Sequence, residues 1–239
     1  MNRMHVKLIA VLLAVIALTA SSAVAAVIDL TFEDIAPYPN NSDVFIQNYY
    51  NGGTSSIGTS GPNYGVSFPS NALLICLNSL SVICGSPIQS DTSRGGLGDP
   101  NSQTGGLFFL TGSSTFLDYA AGFTTGFSFN YTAIVVGGSV TVWSGLDGTG
   151  TMLASLTLPT TVSGPCPGYN AQFCPFFPIG VSFAGTARSI DFAGTANQIV
   201  FDDVTFGSSQ VGTPEPSSLL LLGSGVLGLA GIVHLKLRR

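Results

Sequence analysis

The middle of this chain predicts an all-β fold, an antiparallel two-sheet β-sandwich or jelly roll, on three observations. Short runs alternate apolar and polar residues with period 2. Gly- and Ser-rich breaks such as Asn51-Gly52-Gly53, Gly95-Gly96 and Gly137-Gly138 recur between them. No stretch of the region sustains a 3.6-residue apolar period. Many short strands separated by close-spaced turns are what two stacked sheets require.

In chain order, the first candidate strand alternates Ile28, Leu30 and Phe32 with Asp29, Thr31 and Glu33. Phe123, Phe127, Phe129 and Tyr131 fall on one face of another. Val140 and Val142 alternate with Thr141 and Trp143, and Met152, Ala154, Leu156 and Leu158 alternate with Leu153, Ser155 and Thr157. These two runs flank a loop in which Asp147-Gly148 is a hairpin-turn signal, although the loop is longer than two residues. Ile179, Val181 and Phe183 repeat the pattern. The last candidate strand, 198–206, puts Val200, Val204 and Phe206 on one face, and Asp202 falls on that face too. Either a bulge lies at Asp202-Asp203 or Asp202 points inward toward a partner.

The two ends are of a different kind. Arg3 and Lys7 precede an unbroken apolar run at 8–18, and Ala23-Val24-Ala25 or Val24-Ala25-Ala26 offers a small-residue cleavage site, so 1–26 reads as a signal peptide. At the other end a second apolar segment starts at Leu219. Extended to Leu237 it would rise about 28 Å as a helix, close to a ~30 Å hydrocarbon core. Lys236, Arg238 and Arg239 place its end on the cytoplasmic side. The expected organisation is a signal peptide at 1–26, an exported β-sandwich at 27–212, and a terminal segment at 213–239 with a single transmembrane helix.

Thr213 to Arg239 reads TPEPSSLLLLGSGVLGLAGIVHLKLRR. Pro214-Glu215-Pro216, the apolar helix and the basic end stand in the order of a PEP-CTERM sorting signal, which this segment resembles. The resemblance implies recognition of Pro214, Glu215 and Pro216 by an exosortase, a membrane protease-transpeptidase that removes the helix during export. It implies anchoring in the inner membrane through 219–237 before processing, then residence at the cell surface or in the extracellular matrix. Such systems accompany exopolysaccharide production and biofilm. Two segments of the domain, VTVWSGLDGTGTMLASLTL and NYYNGGTSSIGTSGPNYGVSFPSNAL, resemble stretches of carbohydrate-binding-module-like sandwiches among other proteins with this tail.

Charge separates the exported segment from the ends. Charged residues make up 8% of the chain, against roughly 25% in ordinary soluble domains. Between Val27 and Thr213 there is no Lys and no His, and Arg94 and Arg188 stand against 11 acids, a net charge of −9. Nucleic-acid binding, which needs a basic face, is not expected. Without His or Lys, Ser-His-Asp, Cys-His, Ser-Lys and Schiff-base chemistry have no base or amine. Carboxylate-only glycoside hydrolysis survives formally, with Glu33 the one Glu before the sorting motif. The expectation is a non-enzymatic protein.

Four cysteines in an exported chain suggest disulfides, and local pairing predicts Cys76–Cys84 and Cys166–Cys174. Neither spacing suits zinc. Calcium fits better, because hard cations take carboxylate and carbonyl oxygens. If the first and last strands lie together, Glu33, Asp34, Asp202 and Asp203 form one cluster and a structural Ca²⁺ between the chain ends would satisfy Asp202. The plainer reading is solvated strand-end acids, one of them paired with Arg188. Residues 99–105 place oxygen ligands at alternate positions but lack the EF-hand set, and read as a solvated turn. Sugar binding needs exposed aromatics, for which Tyr49, Tyr50, Tyr64, Trp143 and Tyr169 are candidates. Trp143 alternates away from Val140 and Val142 and is expected on the outer face; the other reading is a second layer of core. The leading expectation is a structural or adhesive matrix component associated with polysaccharide. A carbohydrate-binding module with structural calcium is the alternative.

Overall fold

The computed structural model describes residues 28–36, 43–77, 98–99, 102, 104–161, 166 and 173–211. The expected signal peptide, the sorting segment with its helix, Cys84 and Tyr169 lie outside the described residues. Among the described residues every regular element is a strand, and no helix is long and apolar enough to cross a membrane.

Ten strands form in chain order: β1 (Asp29–Leu30), β2 (Val44–Phe45), β3 (Val66–Ser67), β4 (Leu73–Cys76), β5 (Gly105–Phe108), β6 (Ser114–Ala133), β7 (Gly138–Trp143), β8 (Met152–Leu158), β9 (Phe177–Ala193) and β10 (Ile199–Phe206). All their pairings are antiparallel. The hydrogen-bonded path runs β2-β4-β5-β10-β6-β9-β7-β8, with β1 on β10 and β3 on β6.

This path folds over on itself because β6 and β9 are long enough to serve two layers. The second half of β6 lies between β10 and the first half of β9, and its first half pairs with β3 and the second half of β9. The second half of β9 then carries β7 and β8 into the same layer. The bend falls where the β6–β9 register shifts, between Asp118 and Phe123 and again before Thr125. Gly122 turns there with φ 77°, and a Cβ on it would stand 2.5 Å from Thr186 Cγ2. Only glycine meets both the left-handed backbone and the close approach.

The two layers meet through phenylalanine. Phe192, in the β7 layer, is fully buried, with its ring centroid 4.7 Å from Phe201, 5.9 Å from Phe129 and 6.1 Å from Phe127 in the opposite layer. Such offset and edge-on aromatic contacts add to the burial gain of each ring. A smaller cluster of Leu73, Ile75, Leu77, Phe108, Phe173 and Val200 covers the other face of β4, β5 and β10. Both faces of β5 and β10 are therefore dry, and every residue of both strands is buried.

Several expectations change in detail. The first strand stops at Leu30, and Phe32 turns with φ 56°. Met152 is exposed rather than in the apolar face of β8, because the β7–β8 register shifts at Trp143. In β10 the bulge falls between Asp202 and Thr205, with Asp203 at φ 48°. One extra residue reverses the period-2 phase. Ile199, Phe201, Val204 and Phe206 therefore all face the main core, and Val200 joins the smaller cluster instead of sharing their face. The β7–β8 loop forms as its sequence suggests. Leu146 accepts from Thr149 N at 3.0 Å around Asp147 and Gly148, both at positive φ, as a type I′ turn requires.

Candidate functional site

β1 pairs with the end of β10, Asp29 opposite Thr205 and Leu30 opposite Val204, so the start and finish of the domain lie side by side. The chain leaves β1 through the turn at Phe32, whose N–H donates to the buried Tyr50 hydroxyl at 2.9 Å. That turn carries Glu33 toward the β10 bulge. Glu33 is held by a third segment: Oε1 accepts from Thr104 N at 2.8 Å and Gly105 N at 3.0 Å, and Oε2 accepts from Thr104 Oγ1 at 2.5 Å. Gly105 packs directly on the Phe32 carbonyl, where a Cβ would clash.

Behind Glu33 lie three buried carboxyl groups. Asp202 is wholly inaccessible, and Asp203 and Asp99 are 2% and 3% exposed. Asp202 Oδ1 accepts from Asp203 N at 2.8 Å, and Asp203 Oδ2 accepts from Asn130 Nδ2 at 3.0 Å. Asp202 Oδ2 is buried with no hydrogen-bond partner. Ser102 Oγ stands 2.6 Å from the Thr31 carbonyl, 3.0 Å from Glu33 Oε1 and 3.3 Å from Asp202 Oδ1. A hydroxyl has one proton to give, and the shortest contact takes it, so oxygens outnumber protons around Ser102.

Electrostatics follow from this crowding. Burial, and then the adjacent Asp203, push Asp202 well above the usual carboxylate range. Burial, followed by Asp99 and Asp29, raises Asp203 to about 7. Asp29 is also raised, by burial. Such a site holds protons or a cation more readily than it holds several bare charges.

Of the four acids expected to cluster, Glu33, Asp202 and Asp203 come together and Asp34 does not. Asp34 is exposed on the far side of the Phe32 turn. Its place is taken by Asp99: Asp99 and Ser102, from the stretch 99–105 expected to be a solvated turn, are buried in the cluster. The alternate oxygen-bearing residues of that loop were the available signal. Arg188 pairs with none of these acids; its guanidinium donates to the carbonyls of Ala120 and Ser144, each at 3.3 Å. As placed, no three acids among the described residues form a group that could share one ion. The orphaned Asp202 oxygen and the surplus of acceptors nevertheless fit a hard cation in donor chemistry.

The remaining candidates separate by exposure. Trp143 is half-buried on the face opposite Val140 and Val142, its indole N–H donating to Thr141 Oγ1 at 2.8 Å. Tyr49 and Tyr50 belong to the core, whereas Tyr64 is exposed and stacks on Tyr50. Cys166 and Cys174 form a disulfide with Cα atoms 5.7 Å apart. Cys76 is also disulfide-bonded.

Fold and tail together define an exported all-β sandwich. Residues 213–239 match the family model of the PEP-CTERM protein-sorting motif, so the chain is a PEP-CTERM sorting domain-containing protein, exported and processed by an exosortase. No curated protein matches the chain. Among solved structures it resembles a family 6 carbohydrate-binding module (20% identity, 47% of this chain and 80% of that one, TM-score 0.32). It also resembles a module of Cellvibrio mixtus lichenase 5A in complex with cellotriose (13%, 46% and 81%, TM-score 0.31). A third is the C-terminal module of a marine laminarinase from Zobellia galactanivorans (10%, 58% and 100%, TM-score 0.29). Likenesses at these scores are too slight to assign a ligand.

Proposed function

We propose that this protein is a non-enzymatic component of the cell surface or extracellular matrix, delivered by its PEP-CTERM tail and associated there with exopolysaccharide and biofilm. The sorting motif at 213–239 carries the reading. Supporting it, Asp99, Asp202 and Asp203 are buried, and the exported segment has neither His nor Lys. The protein is anchored in the inner membrane through 219–237 until exosortase cleavage. Replacing Pro214-Glu215-Pro216 by alanines tests delivery. The altered chain should remain in the inner-membrane fraction with its tail attached, as shown by intact mass. Normal processing of that variant would overturn the proposal.

A second reading concerns the acid cluster, where the orphaned Asp202 oxygen favours structural calcium. The ion would sit on the unpartnered Asp202 Oδ2, with oxygens of Asp203, Asp99 and Glu33 turning to meet it and Asp34 left out. Bound there, Ca²⁺ supplies positive charge that lets the buried carboxylates ionise. Titration calorimetry with CaCl₂, and melting with and without chelator, test it. No heat and no shift in Tm would remove calcium from the account.

A further inference from the structure

An open cleft of about 600 Å³ lies where β2 ends, lined by Phe45, Gln47, Asn48, Phe68, Pro69 and Ser70. Its lining shares no residue with the buried acid cluster and does not include Trp143. We infer that this cleft is a binding site for an uncharged glycan chain, with Phe45 and Phe68 as apolar walls and the amides of Gln47 and Asn48 as hydrogen-bonding groups. The inference rests on the surface-polysaccharide reading above and names its site and ligand class.

The lining is suited to a sugar. A pyranose presents a patch of C–H groups and a rim of hydroxyls, and sites for such ligands combine aromatic surface with a few placed polar groups. Phe45 is 43% exposed on the edge strand of its layer, an unusual position for a large apolar ring. Its backbone is fixed: Phe45 N donates to Ser56 Oγ and Ser56 N donates to Phe45 O, both at 3.0 Å. Phe68 is backed by Phe32 at 6.1 Å and Tyr50 at 6.2 Å between ring centroids. Phe68, held on its backing rings, loses little freedom when a ligand arrives. Gln47 and Asn48 are exposed, and among the described residues no group hydrogen-bonds their side-chain amides. Gln47 sits at φ 50°, a strained conformation for a residue with a Cβ. Each amide offers a donor and an acceptor, which matches neighbouring hydroxyls of a sugar.

Charge selects the class of glycan. No charged side chain lines the cleft. A polyanionic chain would meet an exported segment with 11 acids and two arginines and be repelled. A polycationic chain would find no carboxylate in the cleft to pair with. A neutral polymer meets neither obstacle.

The test is affinity electrophoresis of the full chain in non-ionic detergent, through gels containing laminarin, hydroxyethyl cellulose or galactomannan, with alginate as the polyanion. Wild-type protein should be retarded by at least one neutral polymer and not by alginate, equally at about 50 and about 500 mM NaCl. Phe45→Ala should weaken the apparent Kd about tenfold or more and Asn48→Ala about fivefold, roughly 1 kcal/mol or more in each case. Phe45→Trp should bind at least as well as wild type, and Trp143→Ala should bind unchanged. If the wild type binds a neutral polymer and both Phe45→Ala and Asn48→Ala bind equally, the cleft is refuted while the surface reading stands. Retardation by alginate alone refutes the neutral class. Retardation by none of the four polymers removes both the cleft and the polysaccharide association.

Discussion

Removing any divalent cation and raising the pH should destabilise this domain, and Asp203→Asn should remove its own share of the effect. In the folded state Asp203 titrates at about 7, against 3.8 as its ordinary value. Below about pH 4 the carboxyl is protonated whether the chain is folded or not. Between about pH 4 and 7 the folded chain keeps a proton that the unfolded chain has released, so stability falls as pH rises. A gap of about three units at 1.36 kcal/mol each gives a loss of about 4 kcal/mol by pH 8. For a domain of this size that is about 8–16 °C in Tm. Asp202 and Asp29 shift in the same direction and deepen the fall. Asparagine suits position 203 because it tolerates the φ of 48° found there. Its Oδ1 accepts from Asn130, and its Nδ2 donates to Asp99 without adding charge. Thermal melts in EDTA at pH 4, 6 and 8, followed by circular dichroism, should show wild-type Tm falling and Asp203→Asn falling less steeply. Wild-type Tm that is flat or rises with pH, or a variant with the wild-type slope, would refute the argument. Excess Ca²⁺ should remove the fall in the wild type if the cluster takes the ion.

Other perturbations follow from packing and turns. Phe192→Ala empties the junction of four phenylalanine rings and should cost about 3–5 kcal/mol, measured by urea unfolding. Cys166→Ser opens a loop of eight-residue separation and should cost about 2–3 kcal/mol on the chain-entropy account, read from the same titration. Gly148→Ala forces a Cβ to 2.7 Å from Phe116 Cε1 at φ 66°. A loss of at least about 1–2 kcal/mol should appear in Tm, with Asp147→Gly close to neutral.

The β-sandwich was legible because period-2 alternation is local, and a residue such as Val140 or Phe127 declares its face through its neighbours. The pairing of β1 with β10 could be anticipated only as a habit of sandwiches, yet it brought Glu33 to Asp202 and Asp203 as expected. What failed was phase and partnership. The bulge in β10 was foreseen as one of two options, but its effect on Val200 depends on which side of the extra residue the core resumes. Asp34 follows Glu33 directly and looked equivalent to it; the turn at Phe32 sends one inward and the other to water. Asp99 is distant in sequence, and the alternate oxygen-bearing residues around it signal ligands without marking them for burial. The cleft at Phe45 was invisible for the same reason: Phe45 and Phe68 are brought together by a sheet edge and a turn, with no shared motif.

The pairing of β1 with β10 also decides how the molecule bears load. Phe206 N donates to Ile28 O at 2.9 Å, so the leading segment and the tail depart from one pole. If the tail is held in a membrane, drag on the domain reaches β10 through Gly207, which is hydrogen-bonded to Gly126 and Thr125, and runs along the strand axis. That strand is flanked by β6 on one side and by β5 and β1 on the other. The pull is therefore resisted in shear, with many hydrogen bonds loaded at once, rather than peeled open one at a time. The domain hangs from a strand paired along both edges, so its hold on the tail is spread over β1, β5 and β6 together.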